Sequence, residues 1–346
     1  MSSGDEYAIE TVRGSLDGSR AEQVMAFWAR RGAMSEAEGA RRLRQVVCVL
    51  VDGSGEIVGV NSAFPQSVEL IAGREFWIYR SLLDQDVPPE AGDRMLAAAF
   101  SALEAEFDPA APGPLGICLL IGNREEMDRR PEAEWREPRM FYAGHLPDGR
   151  QARIGYFSGA KIGPGGDGSG SMVDPDPGLA PGYRITPFAE TDAVSGQDVI
   201  DLWLREGALP AAEAARRIGE VLLVALDDSG SLAGLTSAYL RHNAQLNMDL
   251  WYYRAFVATA HRRGNLAVQL ALRGRDHLEA RYVSGEDKRG PGGVYEVENE
   301  GLKRYFNDAI WFPTDFTFIG ENARGDHVRV RYFPGARAPG PTAAGR

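Results

Sequence analysis

Residues 249–272 read DLWYYRAFVATAHRRGNLAVQLAL. Leu250, Trp251, Tyr252 and Tyr253, continued by Ala255, Phe256 and Val257, form a short, bounded apolar run that predicts a buried strand. A basic turn follows, His261-Arg262-Arg263-Gly264-Asn265, after which Leu266, Leu270 and Ala271 recur at helical spacing. A strand, a Gly-containing basic turn and a helix start offer backbone N–H groups and the positive end of a helix dipole to an anion. Phosphate or pyrophosphate suits that geometry. The same residues also suit an ordinary strand-to-helix connection with solvated arginines.

The stretch has a partner earlier in the chain. VVCVLVDGSGEIVGVNSAF in the first half matches VLLVALDDSGSLAGLTSAY in the second, and Asp52, Gly55, Gly59, Ser62 and Phe64 fall on Asp227, Gly230, Gly234, Ser237 and Tyr239, 175 positions later. The same offset carries Trp28 onto Trp203 and Arg41-Arg42 onto Arg216-Arg217. Trp77-Ile78-Tyr79-Arg80 corresponds to Trp251-Tyr252-Tyr253-Arg254, Asn123 to Asn299, and the run Arg153 to Phe157 to the run Val328 to Phe333. Agreement along most of both halves marks a duplicated domain.

Each copy reads in one order. A first strand (7–12, or 183–185) precedes a helix carrying Trp28 or Trp203, and a short helix with two arginines follows. Next come a hairpin turning at Asp-Gly-Ser-Gly or Asp-Asp-Ser-Gly, the aromatic strand, and a long helix (91–107, or 265–281). A Pro/Gly-rich break, another apolar strand and a closing hairpin complete the copy. The tryptophans read as core packing because both copies have them, and the paired arginines read as helix-surface charges. This order predicts an α+β protein of two tandem domains, each a mixed, mostly antiparallel twisted sheet flanked by helices. The expected boundaries are 1–162, a Gly/Pro/Ser linker at 163–182, 183–335, and a disordered tail at 336–346.

Composition narrows the function. With 38 Lys and Arg against 49 Asp and Glu, the formal net charge is −11, which opposes a general grip on nucleic acid. No apolar run reaches membrane-spanning length, and MSSGDEYAIE lacks a charged-then-apolar signal layout. The two cysteines, Cys48 and Cys118, lie in apolar runs and read as reduced core residues of a cytoplasmic protein. The five histidines are scattered, so no metal site is expected. The Gly, Ala and Arg content suits a GC-rich bacterial source and specialised metabolism.

The order of elements resembles that of the GNAT (GCN5-related) N-acetyltransferase family, duplicated in tandem. That family places a Gln/Arg-x-x-Gly-x-Gly/Ala loop at the head of the long helix, where its amides hold the pyrophosphate of acyl-CoA. His261 stands at the Gln/Arg position, Gly264 at the central glycine and Leu266 at the second small residue, with Ala267 one place later. The resemblance therefore implies cofactor contacts from Phe256, Val257, Thr259, Arg262, Arg263, Gly264, Asn265, Leu266 and Ala267. A second signature, an Asn after the next strand and a tyrosine near the thiol end, falls on Asn299 and on Tyr305, beside Phe306 at the usual position. In the first copy Glu90 stands where Gly264 does, within the acidic run DQDVPPEAGD. Carboxylates repel pyrophosphate and prolines have no N–H to donate, so that copy is expected to have lost the cofactor and to support an acceptor cleft.

The resemblance also implies the chemistry. Acyl transfer from a thioester needs a deprotonated amine, an N–H donor for the oxyanion and a proton for the thiolate. A backbone N–H near Phe256 and Val257 would polarise the carbonyl. Glu296 and Glu298, alternating about Val297, would share a strand face and supply the base, with Asp249 a weaker candidate. Tyr305 would be the acid, and His261 a phosphate contact. The expected activity is acyl-CoA-dependent N-acyl transfer, from acetyl-CoA or another acyl-CoA, to the amine of a small molecule. Aminoacyl-tRNA-dependent transfer and a non-catalytic acyl-CoA-binding sensor are the alternatives.

Overall fold

The structure, a computed structural model, describes residues 7–163, 178–262 and 265–340. The chain divides after Ile162 into two compact units.

The first unit runs β1 (Tyr7–Thr11), α1 (Gly18–Arg30), α2 (Glu36–Arg42), β2 (Val46–Asp52), β3 (Ile57–Val68), β4 (Arg74–Leu83), α3 (Pro89–Glu104), β5 (Gly116–Ile121), α4 (Arg124–Arg129), β6 (Glu134–Arg136), β7 (Arg139–His145) and β8 (Gln151–Tyr156). Its eight strands form one sheet in the order β1-β2-β3-β4-β5-β8-β7-β6. The second unit repeats the pattern: β9 (Arg184–Pro187), α5 (Gly196–Arg205), α6 (Ala211–Arg217), β10 (Val221–Leu226), β11 (Leu232–Asn243), β12 (Met248–Val257), α7 (Leu266–Ser284), β13 (Gly292–Val297), α8 (Glu300–Tyr305), β14 (Ile310–Trp311), β15 (Phe316–Glu321) and β16 (His327–Tyr332). Its sheet has the equivalent order, β9-β10-β11-β12-β13-β16-β15-β14. Neighbours pair antiparallel except at β4–β5 and β12–β13, where a long helix makes the crossover that a parallel pair requires.

The local chemistry is duplicated too. In both hairpins an aspartate side chain caps the turn: Asp52 Oδ1 accepts from the Ser54 and Glu56 amides, and Asp227 Oδ1 from those of Ser229 and Ser231. Gly55 and Gly230 supply the left-handed residue, φ +85° and +79°. Trp28 and Trp203 are buried against their sheets, as expected. The paired arginines meet carboxylates on their own helices, Arg42 with Glu38, and Arg216 and Arg217 with Glu213. Cys48 and Cys118 are free and buried.

Element ends depart from expectation for local reasons. α3 begins at Pro89, a residue preorganised for the first helical turn, and stops short of Phe107. α7 extends to Ser284 because Gly285, at φ +88°, provides the left-handed cap. β9 is Arg184–Pro187 rather than 183–185, and β1 ends at Thr11. Residues 164–177 of the expected linker and 341–346 of the expected tail lie outside the described residues. Leu179 packs with Val257, Leu266 and Leu270, and Ala336 is buried.

Two buried polar groups organise each unit. Arg153 and Arg329 are fully buried and lie over Trp135 and Trp311, each guanidinium carbon 4.1 Å from the ring centroid. Arg153 donates to the carbonyls of Glu132 and Arg130, and Arg329 to those of Ala309 and Phe306. Carbonyl dipoles and an aromatic face thus hold a charge that burial would otherwise penalise. The second group stands on a strand and reaches a carbonyl of the long helix. Asn61 Nδ2 donates to the Met95 carbonyl at 3.2 Å, and its Oδ1 accepts the Cys48 amide, which lies within a register shift of the β2–β3 ladder. In the second unit Thr236 replaces Asn61, and the Tyr253 hydroxyl donates to the equivalent Leu270 carbonyl at 2.5 Å.

Candidate active site

The site is built where β12 leaves β13. Their parallel pairing covers only Trp251–Gly293 and Tyr252–Val294, although β12 continues to Val257 and β13 to Val297. On the α7 side of this divergence, the buried Tyr253 packs edge-on against the partly buried Tyr295, ring centroids 4.9 Å apart. Burial pushes both of their pKa values well up, so each remains a neutral hydroxyl. Two residues further along, Ala255 is exposed between the buried Tyr253 and Val257. The strand therefore opens to solvent at Ala255, directly before the basic turn.

Of that turn, Arg263 and Gly264 lie outside the described residues. Thr259 donates through both its amide (2.9 Å) and its hydroxyl (2.7 Å) to Glu206 Oε2. These two bonds, the hydroxyl first, draw the Glu206 pKa down. His261 Nδ1 is 2.9 Å from the Tyr183 hydroxyl, and Arg262 Nε donates to the Val257 carbonyl at 3.0 Å. Asn265 is the N-cap residue of α7 and donates through its side chain to the Gly178 carbonyl. Leu266 is buried beneath the helix start and Ala267 is exposed. Segment 178–183 thus lies along the turn, touching it at Leu179, Gly178 and Tyr183.

The first unit's equivalent turn is different in kind. Pro88 is the N-cap residue and Pro89 the first residue of α3, with no side-chain cap. Asp84 there meets Arg30 at 3.3 Å and Arg31 at 3.5 Å. No amide is available at either proline.

The predicted acid–base residues stand on different elements. Glu296 is on β13, with a side chain 15% exposed, and accepts from Asn322 Nδ2 at 3.2 Å. Glu298 follows the end of that strand, and it and Glu296 both approach Arg324 Nη2, at 3.2 and 3.7 Å. β13 ends at Val297, and Glu298 is 71% exposed on the way into α8. Asn299 is the N-cap residue of α8, its side chain accepting the Leu302 amide at 3.0 Å. Asn123 caps α4 in the same way, so helix capping accounts for the repeat of this asparagine. Tyr305 is 54% exposed and packs edge-on against Phe306. Asp249 pairs with His242 at 3.0 Å on the exposed start of β12.

Sequence reasoning missed a charged aromatic row on the opposite face of the second sheet. Tyr239 and Tyr252 stand directly opposite each other on β11 and β12, ring centroids 5.5 Å apart. Arg254 lies over Tyr239 (4.1 Å) and reaches Glu220 at 3.0 Å. Arg241 lies over Tyr252 (4.7 Å) and is 3.6 Å from Glu296. Asn243 Nδ2 donates to the Tyr252 hydroxyl at 3.1 Å, and burial raises that phenol's pKa. The available signal was the difference between the copies at matched positions. Among the described residues, no group of three or more His, Cys, Asp or Glu is placed to hold a metal ion, and no helix is long and apolar enough to cross a membrane. A cavity of about 290 Å³ between α1 and α2, lined by Met25, Trp28, Met34 and Gly39 among others, touches none of these residues.

The order that the resemblance implied is present twice, with one parallel pair per sheet flanked by the long helix. Each unit thus has the α+β architecture that the resemblance implied. No family model matches the chain, and no curated protein matches it. Solved structures similar to part of it include an acetyltransferase of the GNAT family from Streptococcus pneumoniae (TM-score 0.31, 11% identity, covering 44% of this chain and 99% of that one). Another is the Escherichia coli GNAT family N-acetyltransferase YhbS in complex with CoA (TM-score 0.31, 21% identity, 45% and 83%). A third is a GNAT family acetyltransferase from Brucella melitensis in complex with acetyl-CoA (TM-score 0.28, 16% identity, 46% and 93%).

Proposed function

We propose that the second unit is an acyl-CoA-dependent N-acyltransferase acting on the amine of a small molecule, in bacterial specialised metabolism. The observation that carries this reading is the divergence of β12 from β13, with Ala255 exposed at its mouth and a basic turn and helix start immediately beyond. An extended thioester-bearing arm fits along such an opening, with backbone groups of β12 on one side. The first unit has a similar divergence but the wrong turn, so its role is structural.

Bound acyl-CoA would supply the activated acyl group. The chain's residues would do the rest. Arg262, Arg263 and the amides about Gly264 neutralise the pyrophosphate. A β12 amide near Phe256 and Val257 donates to the carbonyl oxygen as charge develops there. Glu296, directly or through a water, accepts the proton of the attacking amine. The amine nitrogen bonds to the acyl carbon, the C–S bond breaks, and Tyr305 returns a proton to the departing thiolate. Glu298, exposed and ion-paired with Arg324, is the weaker base.

Calorimetric titration of acetyl-CoA and longer acyl-CoAs tests the reading. The intact chain is expected to bind, and Gly264→Glu, which copies the first unit, to lose binding by about tenfold or more, since a carboxylate beside pyrophosphate opposes it. Absence of binding by the unaltered chain would sink the proposal. Undiminished binding by the variant would move the site elsewhere.

A further inference from the structure

The charged aromatic row on β11 and β12 has a counterpart in the first unit, and the comparison separates framework from addition. Phe64 and Ile78 hold the positions of Tyr239 and Tyr252, again directly opposite each other. Arg80 lies over Phe64 at 4.2 Å, as Arg254 lies over Tyr239 at 4.1 Å. An arginine resting on an aromatic ring is therefore part of the shared framework. Gln45, Gln66 and Leu120 occupy the places of Glu220, Arg241 and Glu296. Both hydroxyls, both carboxylates and the second guanidinium belong to the second unit alone.

Those additions form an ordered array. Glu220, Arg254 on Tyr239, Arg241 on Tyr252, and Glu296 follow one another across the sheet. Within the row two guanidiniums lie between two carboxylates, and each carboxylate also meets an arginine on its outer side: Arg216, shared with Glu213, is 3.0 Å from Glu220. Arg324, 3.7 Å from Glu296, is itself held by Asp326 at 2.7 Å. Stacking on a ring fixes the plane of each guanidinium while leaving most of its five donors pointing outward. Arg254 shows Glu220 only Nη1, and Arg241 is about half exposed, at 52%. A row that presents guanidiniums and carboxylates together favours a guest that carries both signs. A simple amine would leave a guanidinium uncompensated, and a simple acid would meet Glu296.

We propose that this face binds a small zwitterion carrying both an ammonium and a carboxylate, as α-amino acids do. The carboxylate lies in the plane of Arg254 and the amine at Glu296 beside the Tyr252 hydroxyl. The proposal deepens the acyltransferase reading, on which it rests only in identifying the bound amine as the acyl acceptor. It places Tyr239 and Tyr252 as the floor of the site and Arg254 as the group that demands a carboxylate.

The intact chain is titrated by calorimetry with each standard α-amino acid, and every one that binds is compared with its decarboxylated amine, such as phenethylamine for phenylalanine or agmatine for arginine. Binding of at least one amino acid is expected, with its amine weaker by about tenfold or more, the worth of a charge-assisted hydrogen bond. Arg254→Gln should erase that preference, whereas Arg80→Gln in the first unit should leave it intact. Failure of every amino acid to bind, or equal binding of the amines, overturns the inference. Acetyl-CoA is titrated separately. Its binding without amino-acid binding leaves acyl transfer standing and removes the zwitterion site, and the reverse result keeps the site and removes acyl transfer.

Discussion

Gly274 lies in the middle of α7, where glycine normally costs a helix about 1 kcal/mol relative to alanine. A Cβ there would stand 2.2 Å from the Tyr253 hydroxyl and 2.6 Å from its Cζ. The ring sits against the helix because its hydroxyl donates to the Leu270 carbonyl. Close approach therefore outweighs propensity, and Gly274→Ala is expected to destabilise the protein by about 1–3 kcal/mol, the cost of overpacking. Urea unfolding checks this as a lower midpoint at unchanged slope. In a Tyr253→Ala background the same change should cost less, the difference being the coupling between the two residues. A stabilised Gly274→Ala would refute the packing argument. Asn61 shows the same requirement met by other means. Its amide reaches the Met95 carbonyl across the first unit's equivalent gap, which sequence comparison could not reveal because Asn61 aligns with Thr236 and not with Tyr253.

At the level of elements, the opening beside β12 makes a second prediction. Ala255 is exposed, so Ala255→Phe should leave the fold intact by circular dichroism while filling the mouth between β12 and β13. Acyl-CoA binding is then expected to fall by about tenfold or more, as for loss of any well-packed ligand contact. Ser81→Phe, at the matched position of the first unit, should have no effect on binding. Retained affinity in Ala255→Phe would mean that the ligand does not run along β12. The elements themselves were largely legible beforehand. Two hairpins with aspartate-capped turns, two buried tryptophan helices and mixed, mostly antiparallel sheets follow from periodicity, turn chemistry and the repeated order of elements. The acid–base residues were less so. Alternation placed Glu296 and Glu298 on one strand face, but a strand's end is set by its neighbour's hydrogen bonds, and β16 pairs only as far as Val297. Asn299 caps α8 through its Oδ1, which accepts the Leu302 amide, and that bond leaves the Nδ2 donor for a ligand.

For the whole molecule, buried neutral acids set the alkaline limit. Burial pushes the Cys118 thiol up to about 12, from an ordinary value of 9.0, and raises Cys48 as well. Tyr79, Tyr253 and Tyr295 are likewise raised by burial above their usual 10.0. A raised pKa in the folded state means that the unfolded chain loses its proton first. The stability these groups contribute is complete below pH 9 and is lost as pH climbs through the folded values. On the acid side, burial depresses His145 and His277 below 6.5, with Arg153 and Arg281 adding to the effect, so their contribution is present above 6.5 and fades as pH falls. Denaturant titrations across pH should give a plateau between these limits. Phenolate absorbance of the buried tyrosines should rise together with unfolding, and ionisation well before unfolding would contradict it. Neither cysteine should react with a thiol reagent until the chain unfolds.

The entry to α3 also bears on how the two copies came to differ. Pro88 and Pro89 stabilise a helix start while deleting its amide donors, and Asp84 beside them has recruited Arg30 and Arg31. Restoring an anion-binding turn there requires both prolines to change and the acidic run to be neutralised, and replacing one proline alone would give up its preorganisation without creating a donor array. Each single step backwards is a loss. On the proposed reading one unit is thereby held to keeping its shape while the other is left to bind the cofactor, and the asymmetry should persist wherever those two prolines are kept.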